Sequence, residues 1–192
     1  MTRLVILILS LLVFSGCMSR PQMSRAEYMA LTTREYSDIT PEQLYTAAEA
    51  MFEFSSPGGY RYAHHDGGMQ AVESGFGGAR TWSLNVSKVG AGVRLQVGMT
   101  APGAPGFAPV MVAGGAMGIA AAPGGAAPVV NTVTYDAFWA RLEYMLGKRA
   151  DWMTCAEVRD RIISGVVWGG PSPLCDIRLM DPLPAGPAIK PR

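Results

Sequence analysis

The spacing of apolar positions changes repeatedly along this chain, and each change marks an element. Thr40 can cap the free N–H groups of a helix, Pro41 suits its first position and Gln43 completes a capping box. Leu44, Ala47, Ala48, Met51 and Phe52 then recur at helical spacing, which predicts a helix from 41 to about 54. Ser55, Ser56, Pro57, Gly58 and Gly59 end it. Upstream, Ser24 and Glu27 have the same box spacing and predict a brief helix near 25–32.

Period two follows. Strand-like runs over 60–63 and 69–73 flank His64, His65, Asp66, Gly67 and Gly68, where Asp66-Gly67 signals a hairpin turn with positive φ at both central residues. Trp82, Leu84 and Val86 alternate with Ser83, Asn85 and Ser87; Val93, Leu95, Val97 and Met99 alternate with Arg94, Gln96 and Gly98. Such alternation means one buried face and one wet face, and predicts an antiparallel sheet of about four strands in sequential order. Helical spacing returns at Tyr135, Phe138, Trp139, Leu142, Met145 and Leu146, with Gly147 as the stop. Thr154 and Glu157 form another box, opening a helix that carries Cys155, Val158 and Ile162 and ends at Gly165.

The expected fold is therefore α+β: an N-terminal helix, the sheet, then two C-terminal helices, all packed on one face. Between Leu95 and Tyr135 there is no charged residue, and 101–130 is mostly Ala, Gly and Pro. Gly and Pro interrupt every apolar run there, so no helix or strand is expected to extend far, and the segment reads as a flexible insertion. Residues 40–180 then form a single domain, and the Pro-rich tail 181–192 reads as disordered.

The chain begins differently. Arg3 precedes an apolar run from Leu4 to Phe14, followed by Ser15, Gly16 and Cys17. The run is too short to cross a bilayer, which takes roughly 20 apolar residues, and has the length of a signal-peptide core. Small residues leading into a cysteine make this start resemble the lipobox of bacterial lipoprotein precursors. The resemblance covers residues 1–17. It implies removal of 1–16 and a lipid on Cys17 as the new N-terminus; residues 17–39 then read as a lipidated tether and short N-terminal segment. Met18 and Ser19, in place of Asp, imply the outer membrane, facing the periplasm.

Assigning Cys17 to lipid leaves Cys155 and Cys175, which can pair in an oxidising compartment. The rival reading is a reactive thiol at Cys155, at a helix N-terminus where thiolate is favoured. The 16 Lys and Arg nearly balance the 15 Asp and Glu, without a basic block, so nucleic acid is not an expected partner.

His64, His65 and Asp66 are the one cluster inviting a metal or a general base, and these are the only histidines. Neighbouring strand residues point to opposite faces, so the turn reading is preferred and no metal, cofactor or catalytic residue is assigned. Trp82, Trp139, Trp152 and Trp168, with Tyr60 and Tyr62, read as core before ligand groove. The expected role is a membrane-anchored envelope lipoprotein with a non-catalytic scaffold, assembly or accessory function, bound to an envelope protein. The alternatives are an envelope hydrolase using His64 or His65, and a carrier of a small apolar ligand or lipid.

Overall fold

A computed structural model of the chain describes residues 23–75, 78–102, 107–112, 116–121, 126–128, 132–164, 174–175 and 183–189. The signal-like segment, Cys17 and Trp168 lie outside the described residues. Elements follow in the order α1 (Arg25–Thr32), β1 (Thr33–Tyr36), α2 (Pro41–Ser55), β2 (Tyr60–His65), β3 (Gly68–Gly75), β4 (Gly78–Val89), β5 (Gly92–Pro102), β6 (Phe107–Val112), β7 (Ala116–Ala121), β8 (Ala126–Pro128), α3 (Thr132–Met145) and α4 (Cys155–Ser164).

The fold is α+β. The four expected strands are β2 to β5, paired antiparallel in sequential order. The sheet is wider than that: β1 adds to the far side of β5, giving the order β1-β5-β4-β3-β2, and β8 joins β5 beyond β1. β1 escaped the sequence reading because only Tyr36 of its residues is buried, so it shows no alternation. Within 101–130 the structure describes β8 and a separate β6–β7 hairpin, strands of three to six residues, so no element there extends far.

One face of the sheet carries Met69, Ala71, Trp82, Leu84, Leu95 and Val97, all essentially without solvent exposure. Register explains the grouping: Met69 opposes Leu84, Ala71 opposes Trp82, and Leu84 opposes Val97. α2 and α3 cover this face. Phe52 of α2 lies 5.9 Å from Trp82, and Phe138 of α3 stacks on Trp82 with centroids 5.0 Å apart. Burying a large apolar side chain contributes about 1.5–3 kcal/mol, so this aromatic group supplies much of the driving force. On the opposite face Ser83, Asn85 and Gln96 stay partly wet.

The helix ends are as the sequence implies. Ser24 and Glu27 close a capping box on α1, and Thr40 and Gln43 close one on α2. α3 ends in a Schellman motif: Gly147 N–H donates to the Tyr144 carbonyl and Lys148 N–H to that of Glu143, with φ +70° at Gly147. The β2–β3 turn differs from expectation. Gly67 has φ +75°, but no described non-glycine residue has positive φ, so Asp66 does not share the left-handed conformation. At the β1 end of the sheet, a Cβ on Gly92 would fall 2.2 Å from the Tyr36 carbonyl oxygen, so a side chain there would push β1 away.

α1 packs against α3 and β5. The Trp139 indole donates to the Leu31 carbonyl at 2.8 Å, and Gln96 donates to the Met29 sulfur at 3.4 Å. The Met99 N–H donates to the buried Tyr135 hydroxyl at 3.2 Å. Burial, then the neighbouring Tyr28, pushes that hydroxyl's ionisation far above the ordinary tyrosine range. It stays a neutral partner for the strand.

Candidate functional site

α3 is buried nearly all round, not along one stripe: only Thr132 and Asp136 among its first eleven residues escape burial. One charged residue goes inside with the rest. Arg141 has no solvent exposure. Its Nε donates to the Met153 carbonyl at 2.9 Å, and Nη1 donates to the Leu174 carbonyl at 2.7 Å and the Ser55 hydroxyl at 3.0 Å. Nη2 points at the sulfurs of Cys155 and Cys175, at 3.1 and 3.6 Å. The guanidinium also lies 4.6 Å from the centroid of the Trp152 ring. A planar fork with five donors serves several acceptors at fixed angles, which Lys cannot do.

Cys155 and Cys175 are disulfide-bonded, with Cα atoms 5.6 Å apart. Cys155 is the first residue of α4, behind a Thr154–Glu157 box. Glu157 N–H donates to the Thr154 hydroxyl, and the Glu157 carboxylate accepts from Thr154 N–H at 2.7 Å and from its hydroxyl at 2.9 Å. Those two bonds, the backbone one first, hold the Glu157 carboxyl below the ordinary range. Arg141 thus ties the bridge to α3 and, through Ser55, to the end of α2. Sequence reasoning passed over it. Its spacing was the available signal: 141 lies three residues after Phe138 and four before Met145, within the buried register.

Over the same helix a shallow cleft of about 160 Å³ opens to solvent, lined by Arg34, Asp136, Trp139, Ala140, Glu143, Arg149, Met153 and Arg161. β1 supplies Arg34, which bonds Glu143 at 2.9 Å and lies 5.2 Å from the Trp139 ring. α4 supplies Arg161, 3.8 Å from Asp136, and Arg149 pairs with Asp151 at 2.7 Å. Charges of both signs are therefore set side by side over α3, the acids Asp136 and Glu143 from the helix itself and the arginines from β1, α4 and the segment between the two helices. These pairs are partly exposed, and each contributes at most about 1 kcal/mol to stability.

The histidines do not come together. His64 faces the helices, where its Nε2 lies 2.6 Å from a Glu49 carboxylate oxygen and its ring meets Tyr45 edge-on. His65 lies on the other face beside the Asp66 carbonyl, at 3.2 Å. Among the described residues no group of three or more His, Cys, Asp or Glu is placed to hold a metal ion. Trp82, Trp139, Trp152 and Tyr60 are core residues. Tyr62 is at the core edge, its hydroxyl pushed up to about 12 by burial and then by Glu53 and Glu49.

The tail touches α3. Ile189 N–H donates to the Met145 carbonyl at 2.9 Å, and the Tyr144 hydroxyl donates to the Pro184 carbonyl at 3.3 Å.

No family model, no curated protein and no solved structure matches this chain.

Proposed function

We propose that the chain is a bacterial envelope lipoprotein, held at a membrane by lipid on Cys17, whose domain has a non-catalytic scaffold or accessory role toward another envelope protein. The observation that carries this reading is the Cys155–Cys175 bridge. It accounts for two of the three cysteines, and bridges of this kind persist in oxidising, extracytoplasmic compartments. The remaining cysteine is the one directly behind the apolar run and Ser15-Gly16, where a lipoprotein carries its acyl group. More than one acyl chain gives stable attachment, since each buried CH₂ adds about 0.8 kcal/mol. The mixed-charge cleft over α3 is the face we assign to the partner, because both signs are fixed there within reach of solvent.

Mass spectrometry of the mature protein tests the anchor. The expected N-terminus is an acylated Cys17, and Cys17→Ser should release the protein from membranes. A mature chain with an unmodified N-terminus elsewhere rejects the reading. Photocrosslinking from position 161 in the native envelope tests the partner face: a discrete adduct, lost on charge reversal at Arg34 and Arg161, is the expected result.

A further inference from the structure

We propose that the Cys155–Cys175 bridge is a thiol–disulfide exchange site, opened by a protein dithiol reductant and primed by the buried guanidinium of Arg141. The two sulfurs differ in surroundings. Arg141 Nη2 is 3.1 Å from the Cys155 sulfur and 3.6 Å from that of Cys175. A disulfide sulfur accepts weakly, whereas a thiolate is a full anion, so this contact strengthens when the bond opens. Burial of Arg141 enlarges the gain, because Coulomb attraction is stronger away from water. Cys155 also begins α4, where the helix dipole favours negative charge. The Glu157 carboxylate at the same helix end opposes this, but it is exposed and screened by solvent.

Cys155 is therefore the better leaving group, since the less basic thiolate departs faster. A thiolate of the reductant attacks the Cys175 sulfur, forming a mixed disulfide there and expelling Cys155 as a thiolate beside Arg141. The reductant's second thiol then attacks its own partner sulfur in that mixed disulfide. Its proton passes to Cys175, which leaves as a thiol. Two electrons reach the protein, and the reductant ends as its own disulfide. Both cysteines are half-buried, not sealed in the core. Arg141 still holds the carbonyls of Met153 and Leu174 on either side, so the arms stay in place for reclosure.

The test leaves Arg141 in place, because its replacement endangers folding. In the full chain carrying Cys17→Ser, the further changes Cys175→Ser and Cys155→Ser each leave one thiol. Ultraviolet thiolate absorbance is followed against pH. Cys155 should half-ionise at a proton concentration at least tenfold above that of an ordinary thiol, whose pKa is about 8.5, and Cys175 should not. The second readout is the intact bridge in the Cys17→Ser chain, which dithiothreitol should open without denaturant while circular dichroism stays native. Ionisation of Cys155 at or above the ordinary thiol value, or opening only under denaturing conditions, overturns the proposal.

Discussion

α3 builds two interiors from neighbouring residues, and they obey different rules. On one side Phe138 joins Phe52, Trp82 and Tyr135 in an aromatic group over the sheet. There, stability follows apolar area and shape, and any residue that fills the space retains most of it. On the other side Arg141 organises Ser55, Met153, Leu174 and the disulfide. There, stability follows complete pairing, because a buried polar group left without a partner costs more than a formed hydrogen bond contributes. The first region should tolerate substitution better than the second, although Phe138 and Arg141 themselves are equally dry.

The sharpest way to break the contrast is Arg141→Met. Three buried acceptors lose their donor, each costing about 1–3 kcal/mol, so a loss of about 3–5 kcal/mol is expected in urea unfolding. A loss below about 1 kcal/mol would show that the acceptors find other partners. Next, Cys155→Ala with Cys175→Ala should cost about 3 kcal/mol, from the entropy of a loop of this length. Measured in the Arg141→Met background, the same pair should cost clearly less, since residues in one network do not add.

On the aromatic side, Phe138→Leu loses the ring contacts but still fills most of the space, so it should cost only about 1–2 kcal/mol, with an unchanged urea slope. A cost like that of Arg141→Met would erase the distinction. The smallest effect concerns the entrance to α4. Thr154→Ala should lose about 1 kcal/mol of cap energy. The Glu157 pKa is lowered in the folded chain, so its contribution is present above the ordinary carboxylate range and disappears as pH falls through the folded value. Urea midpoints compared at neutral and acid pH should fall less for Glu157→Gln than for the unaltered protein.

This division also governs what the sequence made legible. The aromatic side was readable: alternation in β4 and β5, helical spacing in α2 and α3, and the capping boxes all record local rules that a single chain displays. So was the cysteine pair, once Cys17 was set aside. Arg141 was legible only in part: its spacing places it in the buried register of α3, but nothing local shows that its partners are carbonyls from residues 153 and 174. β1 was missed for a related reason. Arg34 faces the helix side, and its charge is balanced by Glu143 from a distant element, so no period-two pattern marks the strand. The histidines show the converse: a cluster in sequence was divided between two faces by the strand that carries it.

β1 also imposes an order of events. Strands β2 to β5 find their partners across short turns, while β1 must wait for β5: Tyr36 pairs with Val93 and Thr33 with Gln96. Closing a contact across so much intervening chain is slow compared with forming a hairpin. By this argument the meander should form first, and β1, with α1 and its hold on Trp139, should fasten last, like a clasp. A clasp added after the rate-limiting step governs how long the folded protein survives and leaves the speed of its assembly untouched.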